Sequence, residues 1–287
     1  MRNTVTVALK AALPLALTAL TLGGCAGLDP EAALANRGRD RRPISVDHGK
    51  VIRDGEKLWL WGGKPESWRF DLTGARLRPA QLHYGIGREA FPALLEPRFE
   101  TVSNASKRLP AQERVLTVSI AGETRIYPLS LLERHEVVND ALGGREIFAA
   151  FCPLADLAAV YDRRVDGRVH TFALSGYTYF SPALWSGLDA FVLWDRETES
   201  LWLPTAGRAV SGAMRDAPMK VLEKSLWSQT TWGDARARFP DARVLSRDQP
   251  YSPPRTWVRL EPRAQERPAE TPPDALAPRW GENGGVK

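Results

Sequence analysis

Short apolar runs separated by turn residues fill the middle of the chain and predict short antiparallel strands. The runs are rich in β-branched and aromatic side chains, and turn-forming residues such as Ala121-Gly122 separate them. Residues 146–151 and 244–245 are predicted as further strands, and Val46 to Arg69 shows a strand-and-turn pattern. Three hairpins are predicted, joining residues 115–120 to 124–127, 157–163 to 168–174, and 191–194 to 200–203.

Helix signals are few. Pro128 suits the first position of a short helix, because a helix start leaves its N–H groups unsatisfied and proline has none. Thr231 with Asp234 resembles a capping box and predicts a second helix that ends near Phe239. Many hairpins and few helices predict a β-dominated α+β fold, with antiparallel hairpins in a meander sheet and a few packed helices.

The first 24 residues are typical of a lipoprotein signal peptide. Arg2 and Lys10 supply positive charge, an apolar run follows, and Leu22-Gly23-Gly24-Cys25 resembles a lipobox whose Cys thiol accepts diacylglycerol. An uncleaved transmembrane anchor and a soluble exported protein are the alternatives. We expect a membrane-anchored protein acylated on Cys25, with palmitate among the chains, that faces the periplasm. Ala26 in place of Asp favours the outer membrane.

Composition divides the rest of the chain into three parts. Residues 25–42 have few large apolar side chains and are predicted to be a tether, and residues 43–247 are predicted to form a single domain. Residues 248–287 contain eight prolines and are predicted to be a disordered tail. The net charge of +5 gives no nucleic-acid signal, because the arginines are mixed with acidic residues along the chain. The densest basic run, 37–42, is either a solvated linker or a contact for anionic headgroups.

Several short motifs in the middle of the chain carry a family resemblance. They are Tyr127-Pro128-Leu129, His135-Glu136-Val137-Val138-Asn139-Asp140, Gly143-Gly144, Phe151-Cys152-Pro153-Leu154, Tyr161-Asp162-Arg163, Ser175-Gly176, Asp195-Arg196-Glu197-Thr198, Ser200-Leu201-Trp202 and Thr231-Trp232. Their order and spacing over residues 68–246 resemble the uncharacterised prokaryotic domain-of-unknown-function family 3179. The resemblance implies no established activity.

Two departures from the family pattern bear on chemistry. The family has Cys-Pro-Leu-Cys followed by Gly, whereas here Ala155 replaces the second Cys and Asp156 follows it. Leu203-Pro204 also stands where the family tends to have Gln. A two-thiol metal or redox site needs both sulfurs, so this chain has no such site. With Cys25 acylated, Cys152 is the remaining thiol.

Cys152 and His135 are the sharpest candidates for chemistry. Each lies eight positions from the Gly143-Gly144 turn, so a hairpin would place them opposite each other. An imidazole beside the thiol would favour a thiolate nucleophile, with Asp140 as a further catalytic candidate. His135, Cys152 and Asp156 would alternatively offer ligands to copper or zinc. The competing interpretation is a buried Cys that packs as a small hydrophobe and a structural His.

Other polar motif residues have a structural interpretation beside the functional one. His135, Glu136, Asn139 and Asp140 would share helical faces in pairs, which suits a cation site, acid–base chemistry or a helix end. Carboxylates at strand ends would act in hydrolysis or in turns and ion pairs. These carboxylates are Asp162, Asp195 and Glu197, and the remaining motif residues singled out are Pro153 and Trp202.

The chain has ten tryptophans, which is many for 287 residues. They would form either a stacking platform for sugar rings or large pieces of the core. The platform hypothesis concerns Trp185, Trp194, Trp202, Trp227 and Trp232.

No complete catalytic set is present, so the sequence favours a lipid-anchored periplasmic binding or interaction module. Its partners would be the membrane, through the anchor, and an envelope protein or glycan. No cofactor is predicted. One alternative is a metal-binding or thiol-dependent enzyme that uses Cys152 and His135, with copper or zinc as the metal. Another is a degenerate member of a catalytic family, retained for interaction.

Overall fold

The computed structural model describes residues 47–48, 50–63, 68–180 and 189–250. The predicted signal peptide, the acylation site Cys25, the tether and the tail beyond residue 250 lie outside these residues. Strands dominate the described part of the chain, and three short α-helices accompany them. The predicted β-dominated α+β class is confirmed.

The strands and helices follow one another closely along the chain. The strands are β1 (Asp47–His48), β2 (Val51–Asp54), β3 (Lys57–Trp61), β4 (Arg69–Asp71), β5 (Leu82–Tyr84), β6 (Phe99–Thr101), β7 (Arg114–Ile120), β8 (Glu123–Pro128), β9 (Val137–Leu142), β10 (Arg145–Cys152), β11 (Leu157–Asp162), β12 (Arg164–Val165), β13 (Arg168–Val169), β14 (Phe172–Tyr179), β15 (Ala190–Asp195), β16 (Leu201–Leu203), β17 (Arg208–Ala209), β18 (Trp227–Thr231) and β19 (Arg243–Leu245). The α-helices are α1 (Val102–Ser106), α2 (Leu129–His135) and α3 (Trp232–Arg238).

Two larger sheets and three smaller ones build the fold. The six-stranded sheet has the order β1-β5-β14-β15-β16-β17, and the five-stranded sheet has the order β18-β7-β8-β19-β6. Two three-stranded sheets, β11-β10-β9 and β2-β3-β4, and the β12-β13 pair complete it. Neighbouring strands are antiparallel except β8 and β19. Among the described residues, no helix has both the length and the apolar character needed to cross a membrane.

Turn chemistry correctly predicted several connections. β7 and β8 form the expected hairpin, and Ala121 and Gly122 both take positive φ angles in its turn. Helix α2 begins directly after Pro128 and buries Leu129 and Leu132. Thr231 caps α3 by accepting a hydrogen bond from the N–H of Asp234 at 3.2 Å. These features depend on residues that are close together in the chain, which is why they could be predicted from the sequence.

The turn between β9 and β10 has the predicted glycine pair at its tip. Leu142 pairs with Arg145, so Gly143 and Gly144 form the loop, both at positive φ. A Cβ on Gly143 would lie 2.6 Å from the carbonyl oxygen of Ile120. Glycine is therefore required at position 143 by both its backbone angle and its close neighbour.

One predicted hairpin is wrong. The turn at residues 165–168 forms, but only the two-residue strands β12 and β13 pair across it. β11 pairs with β10, with Cys152 opposite Leu157, whereas β14 lies between β5 and β15 in the six-stranded sheet. Both strands are almost wholly buried, so tertiary partners in different sheets determine their pairing rather than the turn between them.

The core contains most of the large aromatic side chains. Trp194, Trp202 and Trp232 are fully buried, and Trp227 is nearly so. Trp185 lies outside the described residues. The core interpretation of the four described tryptophans is confirmed, and a sugar-stacking platform built from them is excluded because their rings have no exposed face.

Candidate functional site

The β9–β10 hairpin has the register that the two candidate residues require. Val137 pairs with Ala150, and the N–H of Phe151 donates to the carbonyl of Glu136 at 2.9 Å. Continuing this register would place His135 opposite Cys152, but the chain is already in α2 at His135. The ladder therefore ends before these two residues pair.

His135 is held by a backbone contact. Its Nδ1 donates to the carbonyl of Pro92 at 2.8 Å, so Nδ1 carries a proton. The side chain is half-buried. This contact fixes the tautomer in the way that metal-binding and acid–base histidines require, but it equally fastens α2 to the loop at residue 92.

The Cys152 thiol is buried at the end of β10. Burial raises its pKa to about 12, and the nearby carboxylate of Glu136 adds to this increase. Backbone N–H groups of Leu154, Ala155 and Phe191 act in the opposite direction but do not compensate. At neutral pH the group is a protonated thiol rather than the thiolate that nucleophilic chemistry uses.

Glu136 is unusual in its backbone and in its burial. It terminates α2 in the left-handed region, at φ 56°, and its side chain is 8% exposed. Burial alone raises the pKa of its carboxyl to about 8, with no hydrogen bond or charge to offset it. A carboxyl of this kind is neutral at pH 7 and destabilises the fold when it ionises.

Asn139 and Asp140 lie on β9 rather than on α2. The prediction that they share helical faces with His135 and Glu136 is therefore wrong: helix α2 ends at His135 because Glu136 takes left-handed angles. Asn139 donates to the carbonyl of Phe172 and accepts from its N–H, each at 2.9 Å. This amide joins two sheets and has a structural role.

Asp140, the further catalytic candidate, accepts from the hydroxyl of Tyr127 at 2.7 Å and from the N–H of Ala141. Burial raises the pKa of its carboxyl. Asp162 accepts from the N–H of Arg164 and lies 3.7 Å from Arg145. Both carboxylates serve local structure.

The proposed metal ligands are not brought together. Asp156 forms an ion pair with Arg114 at 2.8 Å, and Cys152 is buried beneath the turn that contains half-buried Pro153. His135, Cys152 and Asp156 form no group in the described part of the chain whose ligand atoms all lie within 4.8 Å of one another. The group that does satisfy this condition is elsewhere.

That group is His170, Asp195 and Glu197. Asp195 is fully buried, and its carboxylate accepts from His170 Nδ1 at 3.1 Å and from Trp202 Nε1 at 2.8 Å. It also accepts from the N–H and the hydroxyl of Thr198. Both oxygens already have at least two donors, so a cation would have to displace hydrogen bonds that the fold uses.

The neighbouring residues of this turn also form ion pairs or hydrogen bonds with other protein groups. Arg196 forms a two-pronged ion pair with Glu89, at 2.7 and 2.5 Å, and both side chains are almost completely buried. Glu197 accepts from the N–H of Thr171 at 2.7 Å. The turn and ion-pair interpretation of Asp195 and Glu197 therefore fits the geometry. The sequence did not reveal His170, since it reaches Asp195 only through the pairing of β14 with β15.

A different surface carries exposed aromatic and basic side chains. In the β2-β3-β4 sheet, Ile52 pairs with Trp59, and Trp61 pairs with Arg69. Because side chains alternate across a strand, Leu60 and Phe70 face the core while Trp59 and Trp61 face outward. We call the outward side the aromatic–basic face; it comprises Lys50, Ile52, Lys57, Trp59, Trp61 and Arg69.

The cations of this face lie on its rings. Lys50 Nζ is 4.3 Å from the centre of the Trp61 ring, and the Arg69 guanidinium is 4.1 Å from that of Trp59. Tyr84 extends the aromatic surface beyond Trp61, with ring centres 5.2 Å apart. The solvent side of an antiparallel sheet is ordinarily polar, so two half-buried tryptophans there are exceptional.

Exposed aliphatic side chains surround the same region. Ile52 is 44% exposed, and Ile86 is also exposed. The Ile86 segment lies beside this sheet, because the N–H of Arg88 donates to the carbonyl of Gly62 at 2.8 Å. The sequence signal for the face was the alternation Leu58-Trp59-Leu60-Trp61, which predicted a strand but not which residues face outward.

The comparisons with known proteins give a family and no more. The family model described as a protein of unknown function (DUF3179) matches residues 88–256. No curated protein and no solved structure matches the chain. The matched segment includes Cys152, His170 and Asp195, whereas the aromatic–basic face precedes it.

Proposed function

Because the chain belongs to the DUF3179 family, whose members are described only as proteins of unknown function, we propose its role from its own residues. The protein is a lipid-anchored binding protein that faces the periplasm, and it is not a catalyst. The observation that carries this proposal is the aromatic–basic face, where half-buried rings and the cations above them lie on the solvent side of the β2-β3-β4 sheet.

The residues that would perform catalysis are occupied by the fold. The Cys152 thiol is buried and protonated at neutral pH. Both carboxylate oxygens of Asp195 accept hydrogen bonds from donors inside the protein, and Arg196 forms an ion pair with Glu89. A catalyst needs a group that substrate can reach with its reactive atom unoccupied. Asp195 and Arg196 instead hold the turn after β15 in place.

The aromatic–basic face has the composition of a binding surface. Tryptophan, tyrosine and arginine are the residues most often found at the centres of interfaces, since they combine large apolar area with a polar group. Ile52 and Ile86 add exposed apolar area beside them. Exposed apolar groups clustered in one region are typical of interaction sites.

The anchor follows from the lipobox at Cys25. Acylation of Cys25 would hold the protein at a membrane, and two or more acyl chains give stable attachment. Mass spectrometry of the mature protein is expected to show an acylated Cys25 as the first residue. An unmodified amino terminus that retains residues 1–24 would contradict the anchor.

Site-specific photocrosslinking in intact cells tests the binding role. A photoreactive phenylalanine analogue at position 61 is expected to give discrete crosslinked products. The same analogue at Glu123, an exposed position in the β7–β8 hairpin, is the matched control. Equal crosslinking from both positions, or none from position 61, would remove the proposal.

One observation favours a second candidate, a metal-binding or acid–base protein centred on His135, Glu136 and Cys152. Glu136 keeps a buried carboxyl and a left-handed backbone at a cost to stability, and such strain clusters at functional sites. Elemental analysis of protein purified without chelators discriminates. Stoichiometric copper or zinc that is lost in His135→Ala would favour this candidate over the binding role.

A further inference from the structure

We infer that the aromatic–basic face docks onto the anionic headgroup region of the membrane that holds the anchor. This inference rests on the proposed function, since it names the partner of the same surface. It assigns the face a bilayer rather than a protein or a glycan.

The chemistry of the face suits the boundary between water and lipid. Tryptophan and tyrosine concentrate at this boundary, because the ring enters the apolar side and the N–H or O–H stays wet. Lysine and arginine place their apolar stems along the same surface and their charges at the phosphates. Trp61 with Lys50 is a pair of this type, Arg69 adds a cation over the ring of Trp59, whose N–H is buried, and Ile52 supplies an exposed aliphatic group beside them.

Charge complementarity favours an anionic surface. The three bases of the face outnumber the two acids, Asp54 and Asp71, that lie beside it on the same side of the sheet. Both acids form long ion pairs with these bases. The distance is 4.0 Å between Arg69 and Asp54 and 3.9 Å between Lys57 and Asp71. The sequence just before β1 adds Arg37, Arg39, Arg41 and Arg42 against one Asp. Bases close to an anionic membrane surface are attracted to it.

The position of the face in the chain places it close to the anchor. Cys25 lies 22 positions before Asp47, the first residue of β1. A chain of that length reaches at most about 75 Å, and β2 begins four positions later. Tethering over so short a distance gives an effective concentration in the millimolar range, so even a weak surface stays bound. The face therefore needs no deep pocket.

Geometry disfavours a sugar as the occupant. A sugar ring stacks on the open face of an aromatic ring, but Arg69 and Lys50 already lie over Trp59 and Trp61 at 4.1 and 4.3 Å. A phosphate oxygen would contact those cations where they stand. Headgroups thus use the arrangement that is present, whereas a sugar would have to displace it.

Lysine acylation of the intact lipoprotein tests the inference. The mature protein is reconstituted into vesicles of phosphatidylcholine with about one third phosphatidylglycerol, treated with an acylating reagent and digested for mass spectrometry. We expect Lys50 and Lys57 to react at least fivefold more slowly than in detergent. Lys107 and Lys220, which are exposed outside the face, serve as internal references and are expected to react equally in both.

Variants separate the face from the anchor. Lys57→Glu reverses one charge of the face and is expected to abolish the protection of Lys50, whereas the matched change Lys107→Glu is expected to preserve it. Unchanged labelling of Lys50 and Lys57 in a protein that floats with the vesicles would overturn the inference while leaving the anchor intact. Equal protection in vesicles of phosphatidylcholine alone would overturn the anionic preference.

Two further outcomes locate a failure elsewhere. If the mature protein purified from cells carries no acyl chains and does not float with vesicles, the proposed anchor is contradicted rather than the face. Protection of Lys50 by soluble cell-wall glycan fragments but not by anionic vesicles would replace the bilayer with a glycan partner and so overturn the inference.

Discussion

The turn after β15 and the aromatic–basic face both concentrate charged and aromatic side chains, and they differ in what those side chains contact. In the turn, Asp195 accepts hydrogen bonds from protein groups and Arg196 forms an ion pair with Glu89, and both side chains are buried. In the face, Lys50 and Lys57 extend over tryptophan rings and remain exposed.

This difference shows that the type of a residue is a weaker guide to function than whether its polar atoms are already hydrogen-bonded within the protein. The motif at residues 195–198 has the composition of a catalytic or metal site, but its oxygens are already saturated by internal donors. The face lacks any known catalytic motif, but its groups are available to a partner. Large losses of stability are therefore expected in the first region and small ones in the second.

The largest effect is expected for Asp195→Ala. The change leaves the indole N–H of Trp202, the ring of His170 and two donors of Thr198 without their acceptor in a dry interior. We expect the free energy of unfolding to fall by about 5 kcal/mol, measured by urea denaturation. Asp195→Asn keeps one acceptor and is expected to lose about half as much. Asp241→Ala, at an exposed turn, is the control and is expected to change stability by under about 0.5 kcal/mol.

A loss at Asp195 no larger than that at Asp241 would contradict the structural role. It would show that the hydrogen bonds of this turn contribute little, and a functional role for the motif would then be favoured.

The next effect is expected for Glu136→Gln and depends on pH. The folded-state pKa of about 8 lies above the ordinary value of 4.5, so the folded protein binds a proton that the unfolded chain has released between these values. The stability contribution is fully present below pH 4.5 and is lost as pH rises towards 8. Gln mimics the neutral carboxyl, so the variant is expected to match the parent near pH 4 and to exceed it by about 3 kcal/mol at pH 7.

Urea denaturation of both proteins across this pH range is the measurement. Glu123→Gln, at an exposed strand end, is the matched control and is expected to show no such divergence. A constant difference between Glu136→Gln and the parent at all pH values would show that the carboxyl is solvated in the folded state.

The smallest effect is expected for Trp61→Ala. The ring is half-buried and gains from one lysine, so its removal is expected to cost about 1 to 2 kcal/mol, measured by thermal or urea unfolding. Trp202→Ala, in the dry turn region, is the contrasting change and is expected to cost at least twice as much. Equal losses would mean that Trp61 is a core residue and that the face is not free for a partner.

Local signals predicted the parts of the fold that depend on neighbouring residues. The glycine pair at 143–144 fixed the centre of the β9–β10 hairpin and thus the register of Cys152, and Pro128 marked the start of α2. The sequence did not predict the partners of β11 and β14, because each buried strand pairs in a different sheet. Turn residues carry no information about that choice.

The candidate site was less predictable for the same reason. Spacing from the glycine turn singled out Cys152 and His135. The two residues do not pair across the hairpin, because the chain is helical up to His135 and becomes a strand only after Glu136. His170 lies 25 residues from Asp195 and joins it through sheet pairing alone. Leucine and tryptophan alternate at residues 58–61, which predicts a strand with two different sides. Which side is buried depends on the tertiary packing of Leu60 and Phe70, which the sequence does not show.

Photocrosslinking from two positions in the same cells tests the central claim most directly. The photoreactive analogue is placed at position 61 in the face and at Leu154, which is exposed beside Cys152. The account predicts crosslinked products from position 61, with lipid among them, and none from position 154. Products from position 154 and none from position 61 would contradict it and move the functional surface to the turn that covers the thiol.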